Sequence, residues 1–337
     1  MSRKPLISVV TAVYNGASYI EETIRGVLNQ TEGDFEYLIV DDASVDGTVD
    51  LIASFHDERI HLIRNEQNQR VVGARNRGLD LCQGEFVALT DCDDLSDPNR
   101  FALQLKAMRS DPELQLVGAN AQNINADGQP LVARAGRDER PELTRARLFF
   151  RNQFVHSSIF FRRSGVEDLR YRTEFQYSED YDLIVRCAGL GRIRILPEIL
   201  VSYRIHGDNL SVLNYSEMVR LSGQIKSDQL KEIGLEASAE ELSLHRSFEH
   251  PNGPMDRVAM HRLAAWCEKM LGAVQYSKYP CADAFEAVLY EELISLIERQ
   301  VNFGNSGFDI WNEKIYRQAM KSDLLAYLRI LLKRIIY

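Results

Sequence analysis

Apolar residues follow two alternating rhythms in the first part of the chain: short, nearly continuous runs that end in a polar cluster, and stretches where they recur at helical spacing. The β-branched run at 6–13 reads as a strand covered on both faces, and it ends in Tyr14-Asn15-Gly16. Ile20, Ile24, Val27 and Leu28 then keep a helical period behind Ser18 and Glu21, a capping-box pair. The unit repeats. A strand at 37–40, a polar loop at 41–48 and a helix at 49–55 are followed by a strand at 60–63, a polar loop through Asn68, a helix from about 73 to 82 and a strand at 86–90. This alternation predicts an α/β fold, a parallel sheet with crossover helices on both faces, of the kind that binds nucleotides. Ligands of such sheets bind beyond the carboxyl ends of the strands, so the loops after the first, second and fourth strands are expected to line one crevice.

Further on, Asp97-Pro98 reads as a helix start with Pro in the first turn, 116–119 as a strand and Asn125-Ala126-Asp127-Gly128 as a hairpin turn. The stretch rich in Arg, Glu and Gly up to Arg147 reads as a mobile or acceptor-contacting loop, or as plain solvated surface. A strand at 155–161 carries His156, and a helix at 179–190 opens with acids, which suit a helix N-terminus. An extended segment at 193–203 leads into Arg204-Ile205-His206-Gly207-Asp208-Asn209. From about Asn214 the periods are helical, which divides the chain into an α/β domain at 1–213 and a mainly helical region at 214–337. At the end, Leu324, Leu325, Leu328, Leu331, Leu332 and Ile335 form an apolar stripe beside Lys321, Arg329, Lys333 and Arg334. Such a helix packs on its own domain or a second subunit, or lies on an anionic membrane surface.

Composition narrows the picture. The 337 residues carry 45% hydrophobic and 26% charged positions, an ordinary globular balance, and a net charge of −9 that argues against nucleic acid as the main partner. Cys82, Cys92, Cys187, Cys267 and Cys281 are scattered without a Cys-x-x-Cys pair, which speaks for a reducing compartment rather than a disulfide or zinc framework. The short polar stretch at 1–5 leaves no room for a signal peptide, and no apolar run reaches the roughly 20 residues of a membrane span. The expectation is a cytoplasmic protein.

The candidate chemistry centres on Asp91-Cys92-Asp93, where the strand at 86–90 ends in acid. Two Asp at i and i+2, with Asp94 beside them, would gather hard oxygens suited to Mg²⁺ or Mn²⁺ carrying a diphosphate. Asp-x-Asp also arises by chance, and Asp180-Tyr181-Asp182 is a second copy.

Thr11-Ala12-Val13-Tyr14-Asn15, the loop 41–48, Gly73-Ala74-Arg75-Asn76-Arg77-Gly78, Asp91-Cys92-Asp93, Ser178-Glu179-Asp180-Tyr181-Asp182-Leu183 and Tyr203-Arg204-Ile205-His206 stand in an order that resembles glycosyltransferase family 2. The resemblance covers roughly 5–211 and implies a GT-A fold and an inverting transfer from a nucleotide-activated sugar. It implies that Thr11, Tyr14 and Asn15 hold the base, that Asp42 accepts a hydrogen bond from uracil or ribose, and that Arg75 pairs with the diphosphate. Asp91 would contact ribose or metal. Asp93, with His206, would bind the cation, and Arg204 would lie near diphosphate or acceptor. Asp180 would be the general base, with Glu179 sharing that role or binding acceptor hydroxyls. The Gln-x-x-Arg-Trp pattern of processive members is absent, so one sugar per encounter is expected, from a UDP-sugar to a saccharide or lipid-linked acceptor of a bacterial envelope. The helical region is left to acceptor, homo-oligomer or peripheral membrane contacts. Two other readings stay open: a nucleotidyltransferase, against which stands the lack of a Gly-rich, Lys-containing loop after the first strand, and a non-catalytic nucleotide-sugar-binding scaffold.

Overall fold

In the computed structural model the described residues are 4–131, 139–165, 169–207, 209–250, 253–277, 279–302 and 314–323. The chain divides into two compact units, Met1–Pro141 with Phe154–Leu221, and Glu142–Gln153 with Ser222–Tyr337. In the first unit β1 (Ile7–Val13), α1 (Ile20–Leu28), β2 (Phe35–Asp41), α2 (Thr48–Ala53), β3 (Ile60–Arg64), α3 (Arg70–Leu81) and β4 (Phe86–Leu89) alternate as the apolar rhythm predicts. β5 (Leu95–Ser96), α4 (Arg100–Ser110), β6 (Leu114–Ile124), β7 (Phe160–Arg162), α6 (Glu179–Leu190), β8 (Arg192–Arg204) and α7 (Leu210–Leu213) follow, while α5 (Pro141–Arg147), between β6 and β7 in sequence, belongs from Glu142 onward to the second unit.

The described strands form one eight-stranded sheet in the order β3-β2-β1-β4-β7-β6-β8-β5. β1 runs parallel to β2 and β4, β2 to β3, and β6 to β8; β7 is antiparallel to β4 and β6, and β5 to β8. β1 and β2 each have a strand on both sides and are buried nearly throughout, which is why their sequence is apolar at almost every position. Ile20, Ile24 and Val27 of α1, each 0% exposed, close over Ile7, Val9 and Val13. Each such side chain contributes about 1.5–3 kcal/mol on burial.

α3 packs on β1 and β2 so closely that a Cβ at Gly78 would stand 2.4 Å from Val10 Cγ1 and 3.4 Å from Val40 Cγ2. This approach places Arg75, one turn earlier on the same helix, over the sheet's carboxyl edge.

Several local expectations are corrected. The Ser18–Glu21 capping box does not form: Tyr19 is the N-cap without a side-chain bond, and Glu21 instead pairs with Arg25 at 2.7 Å. α3 begins at Arg70 rather than near Gly73, and α4 begins at Arg100 behind Asn99, beyond Pro98. His156 does not lie in a strand. Residues His156–Ser158 form a 3₁₀ turn closed by Ser158 N–H to Val155 O (2.8 Å) and Ile159 N–H to His156 O (3.0 Å), and β7 starts only afterwards. Nor is Arg147 solvated: it is 2% exposed and donates to Glu292 at 2.6 Å and Glu291 at 2.8 Å.

The second unit is helical. α8 (Tyr215–Glu232), which enters it at Ser222, α9 (Ala239–Arg246), α10 (Arg257–Tyr276), α11 (Ala282–Asn302) and α12 (Lys314–Ser322) supply a core that includes Trp266, Phe285, Leu293 and Tyr316 together with Phe149 and Phe150. Among the described residues no helix is long and apolar enough to cross a membrane. The C-terminal stripe from Leu324 onward lies outside the described residues, as does 132–138 of the Arg-rich loop.

Gly78→Ala is expected to lower stability by about 1–3 kcal/mol, because the added methyl meets a buried β-branched side chain that has nowhere to go. Both tryptophans, Trp266 and Trp311, belong to the second unit, so urea denaturation is followed by far-ultraviolet circular dichroism, and an unchanged midpoint of the first unit's transition would contradict the close packing.

Candidate active site

The crevice walls are built by loops at the carboxyl side of β1 and β2. Asn15 N–H donates to Ser44 Oγ at 2.9 Å, Val45 N–H to Asn15 Oδ1 at 3.0 Å, Gly16 N–H to Thr48 Oγ1 at 2.9 Å and Ala17 N–H to Asp46 Oδ2 at 3.2 Å. These bonds clip one loop to the other and leave the Tyr14 side chain half-exposed. Among the described residues the non-glycine positions with positive φ are Asn15 (52°), Ala43 (63°), Arg70 (61°) and Tyr177 (79°). They follow β1, follow β2, open α3 and precede α6. Strain of this kind persists where the surroundings enforce it, and it collects at functional sites.

Where β4 ends, Asp91 Oδ1 accepts from Arg75 Nη2 at 2.7 Å and lies 2.9 Å from His156 Nδ1. The other arm of Arg75 donates to Glu179 Oε1, and Glu179 Oε2 accepts the Tyr177 N–H at 2.6 Å. His156 Nε2 is 2.9 Å from the Tyr171 hydroxyl. One guanidinium thus joins the turn after β4 to the first turn of α6. Burial alone would raise the Asp91 carboxyl, but His156 and Arg75 hold it well below the usual carboxylate range.

Asp94 turns inward instead of joining the cluster of metal-facing oxygens expected from the sequence. It is 1% exposed and accepts from Ser157 Oγ and from the Arg204 N–H, the latter at 2.8 Å. Burial, then the charges of Asp93 and Asp91, pushes its carboxyl well above the usual range. Behind it lies Arg100, 0% exposed, donating to Leu89 O at 2.7 Å and to the Thr90 and Ser96 hydroxyls at 3.0 Å.

Asp93 and His206 meet: Oδ2 and Nε2 are 2.9 Å apart, and the imidazole lies 4.9 Å from the Tyr19 ring. Burial and then Asp91 raise the Asp93 carboxyl. Among the described residues no three His, Cys, Asp or Glu side chains form a metal cage. Asp93 and His206 are the residues that would hold a cation here, and a pair of this kind fits Mg²⁺ or Mn²⁺ that takes its remaining positions from a diphosphate and water. Asp180, half-buried on the first turn of α6, has its pKa raised by burial and then by Glu179. Asp182 of the second Asp-x-Asp points away, accepting from Arg172 and, at 2.7 Å, from Arg186.

Asp42 is 2% exposed and held at the end of β2 by its N–H to Val13 O at 2.8 Å. Its Oδ1 accepts from Asn65 Nδ2 at 2.6 Å and from the Gln69 N–H at 2.8 Å.

Two sequence candidates do not reach the crevice. Thr11 is 0% exposed, its hydroxyl 3.1 Å from the Tyr37 hydroxyl, because it shares the inward face of β1 with Val9 and Val13. Arg204 is 1% exposed and committed to Asp93 O and Ala126 O, each at 2.8 Å, and to Glu22 at 2.6 Å, so it braces the loops instead of meeting a ligand. The functional-site residues missed from sequence are His156, Ser157, Tyr171, Asn65 and Arg100. His156-Ser157-Ser158, a polar triplet inside the apolar run 154–161, was the available signal for the first two.

The model for "Glycosyl transferase family 2" matches residues 8–170. An uncharacterized glycosyltransferase of Methanocaldococcus jannaschii is 31% identical over 212 residues, 60% of this chain and 71% of the relative. The UDP-Glc:alpha-D-GlcNAc-diphosphoundecaprenol beta-1,3-glucosyltransferase WfaP of Escherichia coli is 28% identical over 227 residues, 67% of this chain and 88% of the relative. Among solved structures, the mannosyltransferase PcManGT of Pyrobaculum calidifontis, in complex with GDP-Man and Mn²⁺, superposes with a TM-score of 0.52 at 17% identity, covering 98% of this chain and 88% of that one. At that identity the likeness speaks for the fold, the GT-A type that the sequence resemblance implied.

Replacing Arg75 by Met leaves the Asp91 and Glu179 carboxylates facing each other, largely buried and without their shared cation. The expected loss is about 3–5 kcal/mol, the usual cost of stranding a buried charge. A urea midpoint within error of the native protein would refute this account of the bridge.

Proposed function

The chain belongs to glycosyl transferase family 2, and on that premise we propose that it is an inverting, single-addition transferase moving a sugar from a UDP-sugar to a saccharide or lipid-linked acceptor in bacterial envelope polysaccharide synthesis. The E. coli relative carries both a UDP-sugar donor and a lipid diphosphate acceptor in its name. The observation that carries the reading is the sorting of acids at one sheet edge. Glu179 is consumed by Arg75 and Tyr177, while its neighbour Asp180 has a raised pKa on the same helical turn. A carboxylate with an elevated pKa is a better proton acceptor near neutrality.

In this reading Tyr14, Asn15 and Asp42 seat the base and ribose. Arg75 pairs with the diphosphate end of the donor, Asp91 meets the ribose or the cation, and Asp93 with His206 would hold the divalent cation. That cation would offset the charge developing on the departing diphosphate. Asp180 takes the proton of the acceptor hydroxyl as the hydroxyl oxygen bonds to the anomeric carbon and the bond to the diphosphate oxygen breaks. The α/β region at 1–213 holds this machinery, and the helical region serves acceptor, oligomer or membrane contacts.

Asp180→Asn is expected to reduce turnover by roughly 10²–10⁴-fold while UDP binding persists. In the native enzyme the acid limb of the kcat profile lies above the ordinary aspartate range, since the base must be ionised and burial with Glu179 raises its pKa. Activity that survives the substitution removes Asp180 from the role.

Calorimetric titration of UDP with and without Mn²⁺ tests the donor side. Binding is expected to strengthen with Mn²⁺ in the native protein and to lose that dependence in Asp93→Asn. Nucleotide binding without any turnover would favour the non-catalytic scaffold, and absence of nucleotide binding under every condition would overturn the transferase reading.

A further inference from the structure

Asn65 and Arg77 lie outside the residues that would touch the donor, yet they dictate what Asp42 can offer it. Asn65 follows β3 directly, is 5% exposed and is locked by its N–H to Asp41 O at 2.8 Å. Its Nδ2 donates to Asp42 Oδ1 at 2.6 Å. Its Oδ1 accepts from Arg77 Nη1, which also donates to Arg64 O at 3.0 Å. An amide has one accepting end and one donating end, so the Arg77 guanidinium fixes which end faces the carboxylate. Reversed, the amide would set oxygen against Asp42 and nitrogen against Arg77.

The second donor to Asp42 Oδ1 is the Gln69 N–H at 2.8 Å, from the backbone just before α3. With two donors on Oδ1, Oδ2 is the oxygen left for an incoming base. Uracil and thymine present a single imide N–H between two carbonyls, which one oxygen satisfies. Guanine presents two adjacent donors and needs both oxygens, so one of its N–H groups would stay unmatched against Asp42.

We propose that Asn65 and Arg77 are positioning residues that set donor-base choice, restricting Asp42 to one accepting oxygen and thereby favouring uridine or thymidine diphosphate donors over guanosine diphosphate donors. The inference rests on the reading of Asp42 as the base's hydrogen-bond acceptor. The likeness to a GDP-Man-binding structure leaves the choice to residues such as these, since the fold is shared while the base is not fixed by it.

The test is calorimetric titration of UDP and GDP, each with Mn²⁺, into the native chain, Asn65→Ala, Arg77→Met and Arg77→Lys. The native protein is expected to prefer UDP, and Asn65→Ala to shrink the UDP-to-GDP affinity ratio by about tenfold, a single hydrogen bond to a charged group. Arg77→Met should shrink it less, and Arg77→Lys, which keeps a donor to the Asn65 amide, should restore it. With donor sugar, KM should rise while kcat holds, which a general loss of folding would not produce. Arg77 is partly exposed, so its variants carry the test if Asn65→Ala does not fold. A native preference for GDP, or an unchanged ratio in variants that bind UDP, overturns the proposal. A native protein that binds neither nucleotide overturns the functional reading beneath it, a different result from either.

Discussion

Everything at the sheet's carboxyl edge depends on one electrostatic constraint: Asp91, Asp93, Asp94, Glu179 and Asp180 must share a small volume without forcing it open. Two like charges about 4 Å apart near a protein surface repel by roughly 4 kcal/mol at an effective dielectric of about 20. The chain answers with ion-pair and hydrogen-bond partners drawn from separate elements. Arg75 from α3 spans Asp91 and Glu179, and Arg100 sits buried beneath the turn. His156 and His206 each take one carboxylate. Because these partners come from four different segments, closing the cluster also fixes α3, α4 and the two long-range loops against β4.

The same pairing divides labour among residues of one chemical type. Asp94 and Asp182 are buried and serve packing, Glu179 serves as an anchor, and Asp93 and Asp180 have carboxyls raised by burial and by neighbouring acids. A carboxylate's role here is therefore set by its donors rather than by its place in a motif. The two Asp-x-Asp copies, at Asp91 and at Asp180, make the point, since the members of each pair face different partners.

The alternation of strands and helices was legible because burial on both faces leaves a direct imprint on composition, as in β1 and β2. The crevice loops were legible for the same reason, as abrupt polar ends of apolar runs. What escaped was side-chain direction. Thr11 shares its alternation with Val9, so the strand period that predicts β1 also turns the hydroxyl inward toward Tyr37. Arg204 ends β8 beside an exposed-looking His206, yet contacts more than a hundred residues distant in sequence, such as Asp93, bury it. His156 reads as strand because its flanks are apolar, and only a local 3₁₀ turn brings it to Asp91. Long-range partners of this kind leave no periodic trace.

The order of the strands also has a consequence for how the chain emerges from the ribosome. β1 to β4 pair among themselves and can assemble early, but the free side of β4 waits for β7, which arrives only after the segment Glu142–Gln153 that belongs to the other unit. Phe149 and Phe150 of that segment have their core partners beyond Ser222, still unsynthesised at that moment. A nascent chain paused here displays an unpaired strand edge and loose aromatic side chains together, the features that recruit chaperones and seed aggregation. Translation of the middle third is therefore an interval in which a half-built sheet and an unpartnered aromatic pair coexist.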